Sequence, residues 1–221
     1  LRLIQVSVGP ALDDGFPSTE RPVVANTFAP FGFQQRSGTG SSPTYEQIEG
    51  TGDYNTAAIF FGDPLFRLSD GTLAGATTGP GPGTGVIAGI FVGCHYLSQS
   101  QGRTVWNHYW PGTDVASTNS VTLYYINDPN AQFLVQSDAT GLTAASVGLN
   151  VQFAYGTGNT ANGISGAYIT GGSTATTATL PFRIVSLLTA PPGANGTATG
   201  AFAQAVVAFN NVETKSLTAQ N

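Results

Sequence analysis

The sequence predicts an all-β fold: a β-barrel or β-sandwich body with an extended N-terminal arm and little helix. Three observations lead there. No segment holds a 3.6-residue apolar period over ~15 residues of good helix formers. Short runs of β-branched and aromatic residues recur instead, as in Val121–Ile126 (VTLYYI), Phe182–Leu188 (FRIVSLL) and Phe202–Phe209 (FAQAVVAF). Between Gly85 and Gly112, an apolar run and an aromatic run flank the polar, glycine-ended stretch Ser98–Gly102, which reads as a β-hairpin with a turn of three to five residues.

Taken in order, residues 1–45 form the arm. Pro10, Pro17, Pro22, Pro30 and Pro43 are spaced so that no helix or central strand can run through them. The opening Leu1–Val8 alternates like a strand and is too short for a secretory signal. Phe28, Phe31 and Phe33 punctuate the arm. Exposed, three such rings invite aggregation; buried, each contributes roughly 1.5–3 kcal/mol. They pack either on their own domain or on a neighbouring subunit.

Residues 46–137 read as the barrel core. Tyr54–Phe61 is strand-like, Leu65–Leu68 alternates, and Ser69–Thr72 makes a tight turn. Thr77–Gly85 (TTGPGPGTG) permits only a loop. The hairpin and Val121–Ile126 follow, Asn127–Asn130 turns the chain, and Phe133–Gln136 is the next strand. Residues 138–221 are a C-terminal β segment packed in the same domain, with a strand or helical turn somewhere in Leu142–Tyr155. Its last two strands have apolar residues on each face, which places Val207 and Phe209 in a sandwich core or at a subunit seam.

Composition narrows the function. Charged residues make up 9% of the 221-residue chain, against a typical ~25%, yet 41% are hydrophobic. The surface is therefore covered by Thr, Ser, Asn, Gln and Gly, which suits broad permanent contacts. A net charge of -5 with scattered cations argues against direct nucleic-acid binding. Polar residues interrupt every apolar run before the ~20 residues of a membrane helix. The single cysteine, Cys94, leaves no internal disulfide and reads as a buried, inert thiol.

No catalytic set emerges, and no cofactor or metal is expected. His95 and His108 come close to opposite one another if the hairpin turns near Gln101, but no acidic third ligand lies in that segment. Asp13, Asp14, Asp63, Asp128 and Asp138 are not paired as a glycosidase requires, and three of them occupy turns. Tyr96, Trp106, Tyr109, Trp110, Tyr124 and Tyr125 form an aromatic cluster that suits sugar stacking as well as a core or interface.

Several segments together resemble a family of tailed-phage capsid decoration (cement) proteins. Phe28–Phe33 (FAPFGF) resembles its APFG-type opening. Ile59–Leu65 (IFFGDPL), with Gly62, Asp63 and Pro64, resembles "IFxGDPV". Gly89–Tyr96, with Gly93 and Tyr96, resembles "GVFxGxxY". Tyr109-Trp110-Pro111 matches the "YWP" corner, and Asn127–Gln136, with Asp128 and Pro129, resembles "DDPxxxFxVQ". Gly156–Asn159 matches "GTGN", and Phe182–Val185 with Val206–Asn210 resembles the late "LRIxxL … VxVxFN" pattern. The match spans residues 26–211; residues 1–25 have no counterpart, and Leu65 and Asn127 replace the usual Val and Asp.

The resemblance implies a tulip-like or related β body and a non-enzymatic virion protein on the outer surface of the capsid. Such a protein works as a homotrimer that clamps neighbouring capsomers of the major capsid protein. With the arm rings and the two-faced last strand read above, Phe28, Phe31, Phe33, Val207 and Phe209 are the candidate capsid or subunit contacts. The alternative is a carbohydrate- or receptor-binding module on the virion surface. A major capsid protein is the other rival, but its shell fold needs a long spine helix.

Overall fold

The computed structural model describes residues 26–39, 48–52, 57–75, 86–115, 121–188 and 199–216. They hold β1 (Gln34–Ser37), β2 (Ile48–Gly52), β3 (Pro64–Arg67), β4 (Leu73–Ala74), β5 (Gly89–Ser98), β6 (Arg103–Asn107), β7 (Val121–Ile126), β8 (Gln132–Gln136), β9 (Asn150–Val151), β10 (Phe153–Ala154), β11 (Tyr168–Ile169), β12 (Phe182–Leu187) and β13 (Gln204–Phe209). Helix among the described residues is limited to two 3-10 turns, Ala144–Ser146 and Gly171–Ser173. Among the described residues no helix is long and apolar enough to cross a membrane. The protein is all-β, as its sequence predicts.

Five strands close into a barrel in the order β3-β4-β2-β7-β5 and back to β3. Closure depends on β5, a ten-residue strand that serves two neighbours along one edge. Its start pairs with β3 (Leu65↔Gly89, Pro64↔Ile90) and its end with β6 (Cys94↔Asn107 to Ser98↔Arg103). The opposite edge of β5 runs along β7. The β5–β6 turn is the four-residue loop 99–102. Asp114 holds it, accepting from the Ser98 hydroxyl (2.6 Å) and the Ser100 N–H (2.8 Å).

Side-chain alternation along these strands divides the apolar residues between two cores. Leu65, Phe91, Cys94, Tyr96, Val121, Leu123 and Tyr125 fill the barrel, with Leu73, Trp110 and Ile59. Their neighbours Phe66, Ile90 and Ile126 point outward into a second core.

A five-stranded antiparallel sheet, β1-β8-β13-β12-β9, covers that outward face. Its filling is aromatic: Phe33 stacks on Phe182 at 4.4 Å, and Phe182 stacks on Phe209 at 5.8 Å. Phe153 meets Phe33 edge-on and stacks on Phe66, both at 6.1 Å, joining sheet to barrel. Arg67 on β3 adds a two-point ion pair with Glu213 (2.9 and 3.1 Å) just after β13.

This arrangement redraws the boundaries expected from the sequence. The barrel ends at Ile126, and β8 crosses to the second sheet instead of closing the barrel near residue 137. The described part of the arm is not free, because β1 forms an edge strand of that sheet. Prolines excluded a central strand but not an edge one. Strand β12 is buried on one face only: Arg183 and Val185 alternate outward, and at the 184/186 register shift Ser186 is exposed as well. Residues 57–61 make isolated bridges rather than a strand. The TTGPGPGTG loop, Asp13, Asp14 and the rest of residues 1–25 lie outside the described residues.

Gly89 is a point of closure where the neighbour is backbone and cannot swing away. A Cβ there would stand 2.3 Å from the Ile126 carbonyl oxygen and 2.7 Å from the Tyr125 ring. Gly89→Ala should therefore cost about 1–3 kcal/mol of stability, as overpacking does, read from equilibrium urea unfolding.

Candidate functional site

The Gly62-Asp63-Pro64 motif sits where four distant segments meet. Gly62 has φ +93° and Gly32 has φ +72°, a region that side-chain-bearing residues rarely adopt. The two pack against each other: a Cβ on Gly62 would lie 2.9 Å from the Phe33 nitrogen, and one on Gly32 2.7 Å from the Ser165 Cβ. Main-chain bonds tie the segments together, from Phe33 N–H to Gly62 O (2.9 Å), Gly62 N–H to Phe91 O (2.9 Å) and Phe91 N–H to Asp63 O (2.8 Å).

Asp63 is buried at the centre of this joint. Its carboxylate accepts from the Phe60 N–H (2.7 Å) and the Ser165 hydroxyl (2.5 Å), while Ser165 Oγ accepts from the Ala167 N–H (2.8 Å). Burial pushes its pKa up from 3.8 to about 6, although both hydrogen bonds pull the other way. Beside it the Tyr155 hydroxyl donates to the Pro64 carbonyl (2.6 Å), and burial and Asp63 hold that phenol well above its usual range. Pro64 opens β3, the strand position where a missing N–H costs least.

The remaining motif residues are also joints. Asp128 and Pro129 take the first two positions of a turn closed by Ala131 N–H to Asp128 O (2.9 Å). Burial disfavours the Asp128 charge. The Thr39 hydroxyl (2.7 Å) and N–H, the Asn130 N–H (2.9 Å) and Lys215 overcome this and hold the carboxyl below its usual range. Trp110, fully buried, exchanges two 2.8 Å main-chain bonds with Ile59 and meets Tyr96 edge-on at 4.9 Å inside the barrel. Pro111, half-buried, follows it into the turn at Gly112. Gly93 stands at the bulge where β5 shifts register against β7.

The five proposed contact residues divide. Phe33, Val207 and Phe209 lie in the chain's own second core, so their placement at an interface is corrected: other rings of the same chain already cover them. Phe31 is half-buried. Phe28 is 45% exposed, resting edge-on against Tyr168 and tilted on Phe202, both at 5.3 Å. Gln136 fastens this stretch by accepting from Ala29 N–H (2.9 Å) and donating to Thr27 O (2.8 Å). Of the five, only Phe28 and part of Phe31 remain available to a partner.

The aromatic cluster divides by the same alternation. Tyr96, Trp110 and Tyr125 face into the barrel. Tyr109, half-buried, stacks on Phe60 at 5.5 Å. Trp106 is 67% exposed on the outer face of the barrel, with Tyr124 and His95 beside it and the exposed Leu97 on the same strand face. His95 therefore pairs with Trp106 instead of His108, whose ring stacks on Phe61 at 5.6 Å. Among the described residues no three His, Cys, Asp or Glu side chains converge on a metal position. Cys94 is buried, and burial pushes its thiol up to about 12, so it stays protonated.

Gly32, inside the FAPFGF motif, Ser165 and Tyr155 complete the Asp63 joint, and sequence reasoning missed the last two. They lie in stretches of low pattern, and Ser165 meets Asp63 across 102 positions of chain. A Gly-x-Ser-Gly-Ala run with no helix and no strand period was the available signal.

Fold and site thus define an all-β protein in which a closed five-stranded barrel and a five-stranded sheet share a core. Set against protein-family models, curated proteins and solved structures, the chain matches none of them.

Two outcomes follow from this geometry. Phe33→Ala should cost about 3–5 kcal/mol, as core Phe truncations do, whereas the exposed Phe28→Ala should stay within about 1 kcal/mol, both by urea unfolding. Asp63 has a raised native pKa, so the native state takes up its proton before the unfolded chain does. Its contribution is full below about pH 4 and is lost as pH rises through about 6, a span worth roughly 3 kcal/mol. Asp63→Asn, neutral throughout, should abolish that rise between pH 6 and 4 in unfolding curves compared with the parent.

Proposed function

We propose that this chain is a virion structural protein: a decoration, or cement, protein on the outer head surface of a tailed bacteriophage. It works as a homotrimer, catalyses no reaction, and clamps adjacent capsomers of the major capsid protein against the outward pressure of packaged DNA. The observation that carries this reading is the ordered series of motifs from residue 28 to residue 210 that resembles the decoration-protein family. The motif residues are joints between chain segments, which fits a protein whose work is to hold a shape.

Two further features support it. The surface is poor in charge, with 9% Asp, Glu, Lys and Arg in the whole chain, and such a coat suits close contact over wide areas. Strand β1 ends its sheet among the described residues, so its outer edge suits main-chain pairing with an extended segment of a neighbour. Each clamp can be weak when many act on one shell.

Purified protein mixed with expanded shells of its phage should sediment with them at a fixed whole-number ratio to the major capsid protein. In solution it should have three times the mass of the 22.7 kDa chain. Removing residues 1–25, which leaves Phe33 and β1 in place, should weaken shell binding at least tenfold with the far-UV circular dichroism unchanged. Equal binding by the truncated chain would move the contact onto the body, and a monomer that ignores shells would overturn the reading.

A further inference from the structure

We propose that the outer face of the β7-β5-β6 strands is a sugar-binding cleft that takes a single neutral pyranose ring against Trp106. This is independent of the shell-binding reading and rests on the shape, chemistry and rigidity of that face.

The shape comes from three neighbouring strands. His95 and Trp106 stack at 4.5 Å and 25°, Trp106 and Tyr124 at 5.5 Å and 18°, and His95 and Tyr124 lie 5.7 Å apart at 33°. In a column of three stacked rings the outer pair would stand about twice as far apart as each adjacent pair. The near-equal sides describe a stepped platform of almost parallel rings. Beside it is a cavity of about 240 Å³ lined by Val92, Gly93, Cys94, Asn107 and His108, with Trp106 and Tyr124 as the aromatic wall. Gly93 keeps it open: a Cβ there would meet the Asn107 carbonyl oxygen at 3.2 Å and otherwise empty space.

The chemistry selects among ligands that like aromatic surface. A quaternary ammonium needs rings on several sides of the cation, and here Trp106 and Tyr124, 18° apart, form one aromatic wall. A nucleic-acid base would bring phosphates, which need clustered cations; the described residues lining this cavity include no Lys or Arg. A pyranose presents an apolar C–H face for the indole and a rim of hydroxyls for the Asn107 carbonyl and the His108 ring. The platform is also held in advance. Tyr124 Oη is 2.9 Å from His95 Nδ1, so little side-chain freedom remains to be lost on binding.

The test uses methyl β-glucoside, methyl β-galactoside and N-acetylglucosamine as probes, followed by tryptophan fluorescence and saturation-transfer NMR on the full chain. Trp110 is sealed in the barrel, so an emission change belongs to Trp106. At least one pyranoside should shift that emission saturably and shield it from iodide. Trp106→Ala, at an exposed position, should keep the fold and shell binding but weaken sugar binding at least tenfold by NMR. Gly93→Leu should fill the cleft and weaken it as much, read by fluorescence. No saturable signal with any of the three sugars would overturn the proposal. So would a response to tetramethylammonium in place of the sugars, shielding of Trp106 that grows with protein concentration alone, or loss of shell binding in Trp106→Ala.

Discussion

A single buried carboxylate holds the two halves of this protein in register. Asp63 takes one hydrogen bond from its own turn, at Phe60, and one from Ser165, far along the chain. Around it the Gly32 and Gly62 backbones interlock, and the strand carrying Phe91 joins the barrel to both. Burying a charge is costly, and the raised pKa records that cost. The arrangement persists because removing the acceptor would strand two donors in a place water cannot reach. Barrel, sheet and the 31–33 segment can each be described separately, but their mutual placement depends on this one group.

Strand alternation does the rest. The pairs Leu65/Phe66, Phe91/Ile90 and Tyr125/Ile126 each send one side chain into the barrel and its neighbour into the second core. A strand apolar on both sides of the pleat is thus a shared wall, and it is the reason two modest cores make one body. β7 and the hairpin were legible for this reason, with strong β-formers bounded by turn residues. β7 occupies the segment read from its pattern, and the hairpin turns in four residues. The break between barrel and second sheet was not legible. Phe133–Gln136 has the same texture as Val121–Ile126, and nothing local says that one closes a barrel while the other pairs with β13 and β1.

The same limit applies to the site. Sequence period shows that Tyr124 and Tyr125 point in opposite directions, and likewise Tyr96 and His95, but not which direction is inward. Trp106 and Trp110 have equally aromatic surroundings, yet one is two-thirds exposed and the other sealed. Closure decides between them, through pairings such as Ile59 with Trp110 that no window around Trp110 contains. The motif residues were visible as a set because turns need particular residue types: Asp and Pro open a tight turn, and glycine permits positive φ. Their partners Thr39, Tyr155 and Ser165 carry no such mark.

The barrel ring is uneven. Most of its joints are antiparallel ladders of two to five residue pairs, but among the described residues β2 meets β4 in parallel through the one pair Gly52↔Leu73. A closed ring is as strong under tension as its thinnest link, and hydrogen bonds that lie in series along a pull break one at a time. Among the described joints that seam is the thinnest, so load reaching this barrel from outside should part it there before it opens the β5–β7 ladder, which gives the ring an order of yielding.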